Sequence, residues 1–99
     1  MGGAAGSVAA ATAVDASAGT DLGGDWQVVL FNDDVNEAGR VVTILMRVFG
    51  HPRALARKIM LEAHKTGRAI AQVEAESPAR EHAKQLHAHR LQATVERIG

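Results

Sequence analysis

The chain has 99 residues, enough for one small domain, and its 46% hydrophobic and 22% charged fractions are typical of a globular protein. Lys and Arg together balance Asp and Glu, which argues against nucleic-acid binding driven by a large positive charge. The sequence has no cysteine, no apolar run near the about 20 residues that span a bilayer, and only three aromatic residues. These counts exclude disulfides, thiol nucleophiles and Cys-ligated zinc, and they argue against a membrane span and a base-stacking surface.

Residues 1–24 differ in composition from the rest of the chain. They include eight Ala and six Gly, and their only charged residues are Asp15 and Asp21. Such a segment buries too little surface to offset its ordering entropy, so we expect a flexible tail before a folded domain at residues 25–99. A secretory signal peptide is the competing interpretation, but the segment lacks a basic start and a good hydrophobic stretch.

The first predicted elements are a strand and a helix. Trp26–Phe31 is β-branched and aromatic, which favours a strand, and Asn32–Asp34 stops it because these side chains bond to nearby backbone. Asn36 can then cap a helix that runs to about Phe49, with Gly50 as its end. The apolar residues expected on the inner side of this helix are Val41, Val42, Leu45, Val48 and Phe49.

Two further helices and two strands follow. Pro52 at a first helical position predicts a helix that ends at Gly67, with Leu55, Ile59 and Ala63 as its inward stripe. A short strand is predicted at Arg68–Val73. A helix opened by Ser77-Pro78 comes next, with Ala79, Ala83 and Leu86 inward, and a closing strand is predicted at Leu91–Glu96. The order β-α-α-β-α-β predicts an α+β fold in which three helices cover one face of a small, three-stranded, mostly antiparallel sheet.

No catalytic motif or metal-ligand pattern is present. Serine-hydrolase, phosphate-loop, dinucleotide and zinc-protease signatures are absent. His82, His87 and His89 are spaced two and five residues apart, which is poor for joint ligation on one helix face. We therefore expect no metal, no cofactor and no enzymatic activity, and we interpret the histidines as solvated positions at helix ends.

Two motifs are more specific in combination than alone. Asn32–Asp34 by itself is most simply a turn, and His64 near a helix C-terminus is most simply a dipole or packing residue. Together they give a strand, Asn-Asp-Asp, a helix and then Met-Leu-x-x-His-x-x-Gly-Arg-Ala-Ile over Met60–Ile70. Val41–Gly50 adds a looser pattern, V-x-x-I-L-x-x-V-F-G.

This combination resembles the ClpS family, adaptors of the AAA+ Clp proteases, over Trp26 to Val95. The ending Leu86–Glu96 is similar to actinobacterial members. The resemblance implies a protein that is not an enzyme. Such a protein binds the bulky N-terminal residue of another protein and passes that protein to a ClpA or ClpC unfoldase. It also implies that Asn32, Asp33 and His64 accept hydrogen bonds from the α-amino group. The matching side-chain pocket would consist of Ala38, Val41, Val42, Met60 and Ala63.

Four positions depart from the family pattern. Asn36-Glu37 stands where the family has Thr-Pro, Ala38 where it has a Met that acts as a lid, and Ala63 where it commonly has Val. The smaller side chains predict a wider, shallower pocket that tolerates N-terminal Ile or Val, or favours Phe and Trp over Leu. The alternative is that the pocket is lost and that the protein has other cargo.

The family implies an unfoldase contact near the start of the third helix. The candidate residues are Glu76, Ser77, His82 and Lys84. ClpC is the favoured partner because the end of the sequence is similar to actinobacterial members of the family. The tail is either engaged by the unfoldase or passive. We expect a cytoplasmic monomer with no nucleic-acid or membrane partner.

The competing function is a structural module similar to the C-terminal domain of the ribosomal stalk protein. In that case Asn32–Asp34 would be only a turn and His64 only a packing residue. The position of His64 discriminates between the two: the adaptor hypothesis requires it at the surface near Asn32 and Asp33, and fails if it is buried against Leu86.

Overall fold

The computed structural model describes residues 24–98, so the predicted tail lies, apart from Gly24, outside the described residues. The elements are β1 (Trp26–Phe31), α1 (Ala38–Phe49), α2 (Arg53–Thr66), β2 (Arg68–Glu74), α3 (Glu76–Ala88) and β3 (Ala93–Arg97). Both the predicted element order and the α+β class are confirmed. None of the described helices is both long and apolar enough to cross a membrane.

The sheet has the order β2-β1-β3, and β1 pairs antiparallel with both neighbours. Val28 and Leu30 point into the core, which the three helices close from one side. At the end of β1, the Phe31 N–H donates to the Gln92 carbonyl at 2.9 Å. The Asn32 N–H donates to the Gly67 carbonyl at 3.0 Å, which fastens the segment after β1 to the end of α2.

The core combines a few large side chains with many alanines. Leu45 and Leu86 are fully buried between the helices and the sheet. The predicted inward stripe of α2 is wrong at Leu55, which is 40% exposed, whereas Ile59 and Ala63 are buried. Ala56 takes its place because the buried stripe is centred nearer to Ala56 and Ala63, and Leu55 lies at its margin.

The helix ends follow the glycines, but the helix starts differ from the prediction. Gly50 (φ 74°) and Gly67 (φ 96°) adopt the left-handed conformation, and each donates its N–H back into its helix, as predicted. At the starts, Glu37 rather than Asn36 precedes α1, and Pro52 precedes α2 instead of occupying its first position. Asn36 does not cap because its side-chain amide has other partners, described below.

Three histidines predicted to be solvated are bonded into the fold. His51 Nε2 donates to the Ala71 carbonyl and His87 Nε2 to the Ala93 carbonyl, both at 2.7 Å. His82 Nδ1 lies 2.6 Å from a Glu74 carboxylate oxygen. The solvated interpretation is therefore wrong for His51 and His82, which are only partly exposed, whereas His87 is exposed in the last turn of α3 as expected and bonds through one ring nitrogen.

Candidate functional site

A cavity of about 210 Å³ opens where β1 meets α1. Its polar rim consists of Asn32, Asp33, Asp34, Asn36 and His64. Its apolar wall includes Leu30, Val41, Met60, Ala63 and Leu91. The volume is below the about 300–1,000 Å³ of pockets for drug-sized ligands, so the cavity suits a single amino-acid side chain.

The backbone brings Asn32, Asp33 and His64 together from two distant segments. The bond from Asn32 N–H to the Gly67 carbonyl holds the end of β1 against the end of α2, and His64 lies in the last turn of that helix. The His64 side chain is exposed and lines the same cavity as Asn32 and Asp33. It is not buried against Leu86, so the surface position that the adaptor hypothesis requires is present.

Asp33 is held as an ionised carboxylate. Its Oδ1 accepts the Val35 N–H at 2.8 Å, and its Oδ2 accepts the Asn36 amide at 2.5 Å. These hydrogen bonds, with a smaller contribution from the Arg40 charge, lower the pKa of Asp33 below its usual value. Each carboxylate oxygen has two lone pairs, so Asp33 can still accept a donor from the cavity.

Asn32 is oriented by its neighbour Asp34. The Asn32 amide nitrogen donates to Asp34 Oδ1 at 3.3 Å, which leaves the Asn32 amide oxygen as an acceptor without a partner in the described residues. Asp34 is exposed and also lines the rim. Sequence reasoning placed Asp34 in the motif but not in the site.

The predicted side-chain pocket is largely assembled in one place. Ala38, Val41, Met60 and Ala63 all line the cavity, and Ala38 is exposed at the start of α1. Val42 is instead 5% exposed in the core and is absent from the lining, because adjacent residues on a helix point about 100° apart.

The family model for the ATP-dependent Clp protease adaptor protein ClpS matches residues 23–94. The chain belongs to the ClpS family. It is therefore a protease adaptor and not itself an enzyme.

Relatives and a solved structure agree with this assignment. The ClpS adapter of Nocardia farcinica is 32% identical over 72 residues, which are 73% of this chain and 68% of the relative. The ClpS adapter of Rhodococcus opacus is 31% identical over 73% of this chain and 64% of its own length. The structure of Agrobacterium tumefaciens ClpS2 bound to L-phenylalaninamide matches with a TM-score of 0.70 and 28% identity, over 75% of this chain and 96% of that one.

Three apolar residues of the cavity were not assigned to the site from the sequence of this ClpS protein. Leu91 comes from the segment between α3 and β3, and only the fold brings it to the cavity. Leu30 and Phe31 end β1 and were expected only as strand residues, yet both line the cavity. Within residues 24–98, no group of three or more His, Asp or Glu side chains could hold a metal ion.

The residues predicted for unfoldase contact lie on or near the surface of α3. Ser77 and Lys84 are exposed, and Glu76 is exposed and accepts Arg80 Nε at 2.9 Å. His82 instead turns toward Glu74, and its side chain is 23% exposed. The first turn of α3 thus offers more accessible polar groups than His82 does.

Proposed function

We propose that this ClpS protein recognises the free α-amino group and the bulky hydrophobic side chain of N-terminal residues (an N-degron). It then delivers the bound protein to a cytoplasmic AAA+ Clp unfoldase of the ClpA or ClpC type. The observation that carries the proposal is the meeting of Asn32, Asp33 and His64 at the rim of one small cavity with an apolar wall.

The rim suits an ammonium group. A free α-amino group is a cation with three N–H donors, so it needs acceptors held at fixed positions. Asn32 supplies an amide oxygen, Asp33 an ionised carboxylate and His64 a ring nitrogen. Asp33 adds the negative charge that makes one of these bonds charge-assisted.

The apolar wall suits one large hydrophobic side chain. Burying a Leu or Phe side chain is worth about 1.5–3 kcal/mol before ordering costs. The Agrobacterium relative is bound to L-phenylalaninamide, a ligand with a free α-amino group and an aromatic side chain. This ligand chemistry supports the assignment of the rim to the amine and of the wall to the side chain.

The same arrangement accounts for the ligands that should be rejected. An acetylated N-terminus has lost its charge and two donors, which would leave Asn32 and Asp33 without partners. An N-terminal Lys or Arg would bring an unpaired charge against Val41 and Met60. Both kinds of peptide should bind much more weakly than free N-terminal Leu or Phe.

For delivery, the proposed contact is the exposed start of α3, with Glu76, Ser77 and Lys84 as its polar groups and His82 as a less accessible neighbour. We propose that residues 1–24 are the segment that the unfoldase engages. A monomer is sufficient for both roles, because the rim and the wall come from one chain.

Fluorescence anisotropy with labelled peptides tests peptide recognition. The peptides differ only at residue one, which is Leu, Phe, Trp, Ile, Val, Arg, Ala or acetyl-Leu. We expect about micromolar binding of Leu or Phe peptides, abolished by acetylation and by His64→Ala. No binding to any peptide would contradict N-degron recognition and would leave an adaptor with other cargo.

A further inference from the structure

A hydrogen-bonded chain runs from Asp33 and Asn36 at the cavity rim to residues outside the cavity. The Asn36 amide nitrogen donates to Asp33 Oδ2 at 2.5 Å and to the Arg90 carbonyl at 3.2 Å. The Asn36 amide oxygen accepts from Arg40. Arg40 also donates to the His89 carbonyl at 2.9 Å. One side chain, Asn36, thus joins the rim, the first turn of α1 and the segment after α3.

The far end of this chain is a helix terminus. His89 and Arg90 follow the last residue of α3, where carbonyl groups have no partner inside the helix and carry a partial negative charge. The cationic Arg40 and the amide of Asn36 satisfy these carbonyls from another element. α1 has no capping side chain at its own start, so these bonds tie its first turn to the end of α3 in addition to the packing of Val41 in the core.

Arg40 also determines which way the Asn36 amide faces. A guanidinium group has only donors, and a carboxylate and a backbone carbonyl only accept. With its oxygen toward Arg40, Asn36 offers both N–H groups to Asp33 and to the Arg90 carbonyl. In the flipped orientation the amide nitrogen would face the Arg40 donors, and the amide oxygen would face the Asp33 carboxylate and the Arg90 carbonyl. Only the observed orientation therefore satisfies all three partners.

We propose that Asn36 and Arg40 are positioning residues that hold the Asp33 carboxylate in place for the α-amino group by tying it to the end of α3. The inference rests on the proposed function, since Asp33 is the group positioned. Asn36 stands where the family resemblance implies a capping Thr. The lowered pKa of Asp33, caused in part by the Asn36 bond, agrees with this role.

The test compares Asn36→Ala, Arg40→Ala and the double variant with the wild-type protein. One readout is the titration of Asp33, followed by NMR of its side-chain carboxyl carbon in the protein without peptide. The second readout is the affinity for a peptide with N-terminal Phe. Arg47→Ala is the matched control, because it removes an exposed arginine from the same helix that has no hydrogen bond in the described part of the chain.

We expect Asn36→Ala to raise the pKa of Asp33 toward its ordinary value and to weaken peptide binding about tenfold, as loss of one hydrogen bond to a charged group does. Arg40→Ala should act in the same direction but less strongly, because it acts through Asn36. The double variant should be no weaker than Asn36→Ala alone. Arg40→Lys should rescue only in part, since an ammonium group lacks the planar fork that reaches both acceptors.

An unchanged Asp33 titration and unchanged affinity in folded Asn36→Ala would overturn the inference. Effects of Asn36→Ala and Arg40→Ala that multiply in the double variant would overturn the series arrangement. A wild-type protein that binds no N-terminal peptide would refute the proposed function. In that case a shifted Asp33 titration in Asn36→Ala would still support the tie between these two residues.

Discussion

The two ends of α1 use histidine in opposite ways. At its C-terminal end, the Phe49 ring stacks on His51 with centroids 5.1 Å apart and lies 4.8 Å from His82, which pairs with Glu74 at 2.6 Å. At its N-terminal end, His64 is exposed on the cavity rim and makes no hydrogen bond within residues 24–98.

This difference separates histidines that hold the fold from the histidine proposed to bind the α-amino group. His51 and His82 each bond one ring nitrogen to β2, His51 to a backbone carbonyl and His82 to a carboxylate, so they tie the end of α1 and helix α3 to the sheet. His64 keeps its ring nitrogens available where Asn32 and Asp33 also present acceptors. An unsatisfied polar group is tolerated at a surface, and at a cavity rim it is what a ligand can use.

The largest expected effect is on stability at the Phe49 end. His82→Ala should remove the partner of Glu74, whose side chain is only 13% exposed, and the contact with Phe49. Loss of a hydrogen bond to a partly buried carboxylate costs about 2 kcal/mol. Urea unfolding measures the loss, while affinity for an N-terminal Phe peptide should not change in the folded protein.

Lys84→Ala is the control for that variant, because Lys84 lies on the same helix and is exposed. It should change stability by less than about 0.5 kcal/mol. If His82→Ala proves equally mild, the pair with Glu74 contributes nothing to the fold, and the contrast between the two ends of α1 is lost.

The second effect is on the pH dependence of peptide affinity, and it is specific to the rim. The Asp33 carboxylate supplies the negative charge that the ammonium group needs, so peptide affinity should fall where this carboxylate becomes protonated. Asp33 has a lowered pKa, so its contribution to binding and to stability persists above the ordinary carboxyl pKa of about 3.9 and is lost only at lower pH.

Peptide affinity measured from pH 7 to pH 3 checks this profile, with Asp33→Asn as the comparison. The variant lacks the negative charge and should bind weakly over the whole range. NMR of the Asp33 carboxyl carbon that shows protonation at or above the ordinary carboxyl pKa would contradict the profile.

Local residue chemistry explains which parts of this molecule the sequence could predict. Gly50 and Gly67 end their helices because only the left-handed conformation lets the chain turn there, and that preference belongs to the residue itself. The motifs around Asn32 and His64 were sufficient to predict which residues form the polar rim of the cavity, because their order along the chain matched a family pattern.

The missed features depend on partners far away in the sequence. Asn36 is a sound capping residue by local rules, but its amide bonds to the Arg90 carbonyl, 54 residues away, and to Asp33. His82 was assigned to the surface because no local signal reveals that Glu74 faces it across the start of α3. Tertiary contacts outweigh local preference at both positions.

A third, smaller effect concerns the width of the cavity. Ala38→Met would place a flexible thioether over the opening at the start of α1, where the exposed Ala38 leaves space. Peptides with N-terminal Ile or Val should lose affinity relative to Leu by about fivefold, as expected for a pocket that gains steric selectivity.

The measurement is the ratio of Leu to Ile affinities by anisotropy, before and after the change. Ala54→Met is the matched control, since Ala54 is exposed on α2 and does not line the cavity. A ratio that Ala38→Met leaves at the wild-type value would mean that this position does not border the bound side chain.

The smallest effect lies at the turn that anchors the rim. Arg90 is the one described non-glycine residue with positive φ, at 66°, a conformation that costs about 1 kcal/mol for a residue with a Cβ atom. Arg90→Gly relieves this strain but loosens the unfolded chain, so stability should change by less than about 1 kcal/mol, in the stabilising direction. Peptide affinity should stay constant, because the Asn36 amide bonds to the backbone carbonyl of residue 90 and not to its side chain.

Arg90→Ala keeps the strained conformation while removing the arginine, so it should be the less stable of the two variants in urea unfolding. Equal stability of the two would show that the turn stores no strain, and a fall in affinity for both would mean that the Arg90 side chain itself supports the rim.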